Sequence, residues 1–430
     1  MKDVLQLRRQ YQLITALTVV SVIVAIVLYA VYVRPQAADI QALYKGTEAY
    51  AHIAALTDIG PRIAGGSADK AAANYIADQM RSYGLDVAIQ EFAVAYFEDL
   101  GSTLNVVDGA VLSPNALHFS PPGEFTAKIV VCGLGYPVDF APDVAGNIAL
   151  ILRGEIFLWQ KTQNAAAAGA VATVIYNNEP GNFLATLTFT TDIPAVSVSL
   201  EDGMVLLELL ATAPVTVHLT IDTMTSESTS QNVIGTLEGT DPEQGIVYLG
   251  AHYDSVSAGL GANDDASGVG AVLEAAHVLS TKGLRTKATL KFIAFGAEET
   301  GLDGSEYYVT EYEDEVRHQG LGMINLDMIA VGDMLLIGNI GSAGFALVDH
   351  TRDKAAAMEI AWQPFTAEAR SDHAPFEAAG VPTVFLHQYS DPWTHMAEDT
   401  LDKINLTTLE RNGELAAATM HDWASALLGN

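Results

Sequence analysis

The chain has 430 residues, of which 50% are hydrophobic and 17% charged, and this apolar content predicts a large core and excludes a disordered protein. Its 52 acidic residues outnumber the 21 basic ones, and the formal net charge of -31 argues against nucleic acid as a partner, because phosphates would be repelled. The single cysteine, Cys132, excludes an internal disulfide and any zinc site built from several thiolates.

The first predicted element is an uncharged apolar segment, residues 13–33, which as a helix would be about 31 Å long and would match a bilayer core. Basic residues precede it, so the positive-inside rule places residues 1–12 in the cytoplasm. Residues 34–46 then form a tether. A cleaved signal peptide is the competing interpretation, but the segment exceeds a usual signal core and no small-x-small cleavage site follows it. We therefore expect a single-pass protein of the cell membrane with an extracytoplasmic body.

The body begins with the first part of one domain, residues 47–126. Apolar residues at helical spacing predict an amphipathic helix between Ser67 and Gly84, with Ser67 as its amino-terminal cap and Gly84 as its stop. Alternating apolar and polar residues predict a strand over 86–92.

Residues 127–222 have a different texture and predict a small inserted α/β module rich in strands. Apolar strands alternate with turns and with an Ala-rich helix over residues 160–168. The run "GNIALILRGEIFLWQKTQNAAAAGAVATVIYNNEPG", followed by "IPAVSVSLEDG", resembles the protease-associated domain found inserted in several peptidase families. The run carries no catalytic group, so a spacer or lid is its simplest role.

The remaining residues, 223–430, complete the main domain. Their order of strand, loop, helix and strand predicts an α/β fold with a mainly parallel central sheet flanked by helices. The predicted strands are short and apolar, as buried parallel strands are. They cover residues 246–250, 289–295, 323–326 and 383–386.

Polar side chains follow the ends of three of these strands. In open α/β sheets the carboxyl edge is where ligands bind, so side chains from separate segments converge there. The loop 259–265 and the loop after residue 386 each add one more candidate. The candidates are His252, Asp254, Asp264, Glu298, Glu299, Asp327 and His395.

This mixture of imidazoles and carboxylates predicts a site for two zinc ions. With Asp264 as a bridge, His252 and Asp327 complete one ion, and Glu299 and His395 complete the other. A pair of ions would acidify a water and stabilise the developing oxyanion. Glu298 then serves as general base, and Asp254, two residues after His252, orients that imidazole.

Several motifs together resemble the co-catalytic zinc aminopeptidases that are related to secreted bacterial leucine aminopeptidases and to glutamate carboxypeptidase. The likeness covers most of residues 50–120 and 225–430. The motifs are "VIGTLEG", "VYLGAHYDSVSAGLGANDDASGVGAVLE", "FIAFGAEETGLDGSEYYV", "MINLDMIA", "SDHAPFEAAGVPTVFL" and "THMAEDTLDKIN".

The resemblance implies the same five metal ligands, the same base and the same orienting carboxylate. It also implies a cis peptide between Asp264 and Asp265. Several family members place a tyrosine directly before the last histidine, where this chain has Thr394, so a phenol is not expected to act there.

The sequence therefore predicts a membrane-anchored metallopeptidase that acts on peptides, most simply an aminopeptidase. A carboxypeptidase or dipeptidase of the same fold is one alternative. A non-catalytic receptor that keeps the fold is another, although the intact ligand set argues against it.

Overall fold

The computed structural model describes residues 40–426, apart from positions 189, 342–343 and 389. The predicted membrane span, residues 13–33, lies outside these residues. Within the described part of the chain, no helix is both long enough and apolar enough to cross a bilayer.

Helices and strands are mixed along the chain, with runs of successive strands over residues 86–152 and 216–252. The helices are α1 (Gly46–Ile59), α2 (Ser67–Ser82), α3 (Leu158–Ala167), α4 (Leu200–Leu210), α5 (Ala266–Thr281), α6 (Asp303–Glu311), α7 (Glu313–Gln319), α8 (Phe345–Ala357), α9 (His373–Ala378) and α10 (Leu406–Ala426). The strands are β1 (Asp86–Asp99), β2 (Thr103–Val106), β3 (Val111–Leu112), β4 (Asn115–Ala116), β5 (Gly123–Val131), β6 (Ile148–Leu152), β7 (Ala172–Tyr176), β8 (Ala195–Val198), β9 (Thr216–Ile221), β10 (Thr223–Leu237), β11 (Ile246–His252), β12 (Thr289–Phe295), β13 (Gly320–Asp327), β14 (Leu335–Asn339), β15 (Trp362–Thr366) and β16 (Thr383–Gln388).

The main sheet has the strand order β1-β10-β12-β11-β13-β16-β14-β15. Its centre, β12-β11-β13-β16, is parallel, as the sequence predicted. The flanks differ from the prediction, because β10 is antiparallel to both β1 and β12, and β14 is antiparallel to β16 although it pairs parallel with β15. The sheet is therefore mixed, and its parallel centre is the part that carries the candidate residues.

Side chains alternate between two apolar layers along each central strand, as the period of a β-strand requires. On β11, Val247 and Leu249 face the layer formed with helices α1, α2, α5 and α10. Tyr248 faces the opposite layer, where it packs against Phe376 of α9 with ring centroids 5.2 Å apart. The burial of both faces explains why these strands are continuous apolar runs in the sequence.

A second sheet, with the order β3-β2-β9-β5-β6-β7-β8-β4, forms the inserted module. Strands β5 to β8 are parallel to one another, with Cys132 buried directly after β5. The sequence texture placed the start of the module at residue 127, whereas its sheet already includes β2, β3 and β4. These strands have only two to four residues each, so they carry little periodic signal.

A long two-stranded ribbon joins the two sheets. Strand β10 pairs with β12 from Val233 onward, opposite the carboxyl end of β12, and residues 223–232 pair with β1 alone. The ribbon therefore continues past the carboxyl edge of the main sheet and holds the module on that side. Strand β1 runs to Asp99, well beyond the predicted 86–92.

Helix α2 forms where the sequence predicted it, but its amino-terminal cap is Gly66 and not Ser67. Ser67 is the first helical residue, and the cap residue makes no side-chain hydrogen bond to the helix. Gly84 ends the helical segment with a φ of +83°, a backbone conformation that favours glycine.

Candidate metal centre

The candidate residues meet at the carboxyl edge of the parallel centre. His252 is the last residue of β11, and Asp327 is the last residue of β13. Glu298 and Glu299 follow β12, which ends at Phe295. Three neighbouring strands thus deliver four of these side chains to one edge, because their carboxyl ends point the same way.

Two loops supply the remaining pair. Asp264 directly precedes Asp265, the capping residue of α5, and the peptide bond between them is cis, as the family resemblance implied. His395 lies in the loop after β16 and adopts a positive φ of 59°. Residues next to the site, Ala297 and Met328, also have φ values of 59°. Non-glycine residues with a positive φ are uncommon in proteins, and they tend to cluster at functional sites.

Asp264 lies between the two histidines. One of its carboxylate oxygens, Oδ1, is 3.3 Å from His252 Nε2, and the other, Oδ2, is 3.3 Å from His395 Nε2. His252 Nε2 also lies 4.0 Å from Asp327 Oδ1, and His395 Nε2 lies 3.1 Å from Glu299 Oε2. Asp264 thus contacts both histidines, which in turn approach different carboxylates, Asp327 and Glu299.

These distances fit the spacing of ligands around a common ion. With bond lengths of about 2.0–2.2 Å, donor atoms at the corners of a tetrahedron lie about 3.4 Å apart. The donor atoms of His252, Asp264 and Glu299 fall within 4.8 Å of one another, and so do those of His252, Glu298 and Asp327. Oxygen Oε1 of Glu299 is buried and makes no hydrogen bond in the part of the chain that the structure describes. The set suits zinc in ligand type and in spacing.

Asp254 contacts two of the segments that carry the candidate ligands. Its carboxylate accepts hydrogen bonds from the backbone N–H groups of Glu298 (3.0 Å) and Glu299 (3.1 Å). His252 Nδ1 lies 3.5 Å from Asp254 Oδ1 and 3.2 Å from the Asp254 carbonyl oxygen. Asp254 therefore lies between β11 and the loop after β12, where a carboxylate can orient the imidazole and the glutamates at once.

The crowding of carboxylates makes the centre strongly attractive to cations. The charge of Glu299 raises the pKa of His395 to about 12, against the effect of burial. Burial raises the pKa of Glu298 well above its usual range; His252 opposes this shift and the charges of Glu299 and Asp327 reinforce it. Without a metal such a site retains protons, and a divalent cation competes with them for the same lone pairs.

Two further carboxylates position the centre and were not recognised from the sequence. Asp399 accepts the backbone N–H groups of Asn263 (2.8 Å) and Asp264 (3.1 Å). Asp265 accepts the N–H of Gly268 (2.9 Å) as the cap of α5 and that of Met328 (3.0 Å). Both lie within the motifs of the family, but their roles depend on contacts between distant segments.

Thr394 occupies the position where several family members have a tyrosine. Its hydroxyl donates to the backbone carbonyl of Asp391 at 3.2 Å and lies 4.0 Å from the sulfur of Met328. The side chain thus caps its own loop, and it offers a short hydroxyl in place of a phenol.

Comparison with protein families matches residues 232–420 to peptidase family M28 and residues 105–206 to the PA domain. Aminopeptidase YwaD of Bacillus subtilis is 35% identical over 396 residues, which cover 88% of this chain and 85% of the relative. A probable leucine aminopeptidase 2 of Aspergillus oryzae is 31% identical, over 81% of this chain and 73% of the relative.

Solved structures of aminopeptidases are similar to this chain as well. An aminopeptidase from Aneurinibacillus sp. strain AM-1 superimposes with a TM-score of 0.78 and 33% identity, covering 90% of this chain and 96% of that chain. BSAP, a zinc aminopeptidase from Bacillus subtilis, has a TM-score of 0.78 and 32% identity, covering 90% of this chain and 97% of that chain.

Proposed function

This chain belongs to peptidase family M28 and carries a PA domain, and on that premise we propose that it is a zinc-dependent aminopeptidase with two ions per chain. Family membership makes it a metallopeptidase. The aminopeptidases among its relatives support release of amino-terminal residues from peptides, and the likeness to the zinc aminopeptidase BSAP supports zinc as the metal.

The observation that carries the proposal is the position of Asp264. One of its carboxylate oxygens lies 3.3 Å from the His252 imidazole, and the other lies 3.3 Å from the His395 imidazole. A carboxylate that offers a separate oxygen to each of two ligand groups is suited to bridge two ions. His252 and Asp327 would complete the first ligand group. Glu299 and His395 would complete the second.

Bound zinc would supply Lewis acidity, which polarises the scissile carbonyl and makes an attacking water more acidic. The chain itself has to move the proton. Glu298 lies in the ligand cluster with His252 and Asp327, yet it is not needed to complete either ligand group. We assign it the role of general base, which accepts the proton of the water and passes it to the leaving amine. Asp254 holds its backbone in place.

Blocked and unblocked peptides test the direction of cleavage. We expect the purified enzyme to release the first residue of a peptide with a free amino terminus, and to leave the acetylated peptide of the same sequence intact. Amidation of the carboxyl terminus should have no effect. Product analysis by mass spectrometry checks this result. Cleavage that survives acetylation but requires a free carboxylate would instead indicate a carboxypeptidase.

We also propose that residues 13–33 anchor the enzyme in the cell membrane with its catalytic body outside the cytoplasm. The support is the length and apolar character of this segment and the basic residues before it. Full-length protein should remain in the membrane pellet after an alkaline carbonate wash, whereas a chain that begins at residue 40 should be soluble. External protease should degrade the body in intact spheroplasts. Recovery of a soluble, amino-terminally shortened chain from full-length expression would indicate a cleaved signal peptide instead.

A further inference from the structure

Arg62 is a fully buried arginine in the connection between α1 and α2, far along the chain from the metal ligands. Burial of a charged group is costly unless hydrogen bonds and opposite charges compensate for it. The partners of Arg62 therefore indicate its role.

The guanidinium of Arg62 donates three hydrogen bonds to backbone carbonyls of one segment. Nε donates to Tyr253 (2.6 Å), Nη1 to Leu260 (2.6 Å) and Nη2 to Gly261 (3.0 Å). The Arg62 backbone adds two more bonds, since its N–H donates to Ser255 Oγ (3.0 Å) and its carbonyl accepts the Ser255 N–H (3.2 Å). Arg62 thus forms hydrogen bonds with both ends of the segment 253–261.

That segment connects two of the proposed ligands. Tyr253 directly follows His252, and Gly261 lies three residues before Asp264. Gly261 has a φ of +55°, and a Cβ at this position would lie 2.9 Å from Arg62 Nη2 and 2.4 Å from the Asp264 carbonyl oxygen. A side chain at position 261 would collide with both groups, so the backbone of Gly261 packs between the guanidinium and the Asp264 carbonyl.

Charge favours the same arrangement. Burial lowers the pKa of Arg62 to about 10, while the carboxylates of Asp254 and Asp399 oppose this shift. Those two carboxylates hold the backbone N–H groups of Glu298, Glu299 and Asp264. Arg62 is thus a buried cation whose charge stabilises Asp254 and Asp399, the carboxylates that support the centre.

We propose that Arg62 is a positioning residue for the metal centre, which sets the spacing between His252 and Asp264 by clamping the segment between them. The inference rests on the proposed function and extends it to a residue outside the ligand set. Lysine cannot replace the guanidinium, because a single ammonium lacks the planar fork that reaches three separate carbonyls.

The test is the zinc affinity of Arg62→Lys, measured on the full chain with zinc alone against a competing chelator. We expect the dissociation constant for zinc to rise about 10- to 100-fold, the range found when groups that orient metal ligands are removed. Cobalt-substituted protein should show an altered ligand-field spectrum. Arg352→Lys is the matched control, because Arg352 donates Nε and Nη2 to one carbonyl, that of Ile337, at a distance from the centre. Its zinc affinity should not change.

Ser255→Ala provides a second variant in case Arg62→Lys does not fold, as judged by circular dichroism. It removes the acceptor of the Arg62 N–H and leaves the guanidinium in place, so we expect a smaller loss of zinc affinity in the same direction. Unchanged zinc affinity and cobalt spectrum in every variant that folds would overturn the inference. If the unsubstituted chain itself bound no zinc, the proposed function would fail instead.

Discussion

We expect Glu298→Gln to lower kcat by about 10²- to 10⁴-fold, the usual contribution of a general base, while the zinc content remains unchanged. Glutamine has nearly the same size and shape, but its amide cannot take a proton from water. The backbone N–H of residue 298 would still donate to Asp254, so the loop should keep its position. Initial rates on an unblocked aminoacyl anilide, together with metal analysis of the same preparation, check the result.

The matched control is Glu306→Gln, an identical chemical change on the exposed surface of α6. Its activity and zinc content should both equal those of the unsubstituted chain. Full activity in Glu298→Gln with zinc retained would remove Glu298 from the mechanism. Loss of zinc in that variant would show that Glu298 acts as a ligand, which its place in the cluster with His252 and Asp327 makes chemically feasible.

The parallel centre of the main sheet was predictable because its strands are buried on both faces. Strand β12 was predicted over residues 289–295, which are its observed bounds. Burial on both faces gives continuous apolar runs, and turns at each end limit them. The candidates at the strand ends followed from the same signal, since polar residues at the ends of such runs stand out, whereas Asp264 and His395 lie in loops.

The antiparallel parts of the fold were not predictable in the same way. The ribbon of β1 and β10 is only partly buried, and the part formed by residues 223–232 contains many polar residues. Its length depends on pairing between segments more than a hundred residues apart, and a single strand does not reveal its partner. The early strands of the inserted module, β2 to β4, are too short for any period to be visible.

The supporting groups of the site were missed for a related reason. Arg62, Asp265 and Asp399 act on backbone atoms, and a backbone atom looks the same at every position of a sequence. The charge of each side chain is its only local signal, and most charged residues are simply solvated. Only the fold shows that Arg62 is buried against the segment after His252.

Asp264→Ala should have the largest effect on metal content, because this carboxylate alone, among the residues that the structure describes, lies within 3.3 Å of both His252 and His395. We expect the unsubstituted chain to hold about two zinc ions and the variant to lose both, with peptidase activity falling below detection. Loss of the shared ligand lowers the binding affinity of the site for each ion directly. Any ion that still bound would lack the partner with which it shares the activation of water. Zinc per chain, measured after dialysis against metal-free buffer, checks the expectation.

Asp333→Ala serves as the control, since Asp333 is an exposed aspartate in the loop between β13 and β14 and should keep both ions. His252→Ala offers a sharper comparison. In the proposed assignment His252 is a ligand of one ion only, so one zinc ion should survive in that variant if the two groups bind their ions independently. If Asp264→Ala also kept one ion, Asp264 would be a ligand of a single ion, and the centre would have no carboxylate bridge. If it kept both, the division of the five side chains into two groups that share Asp264 would be wrong.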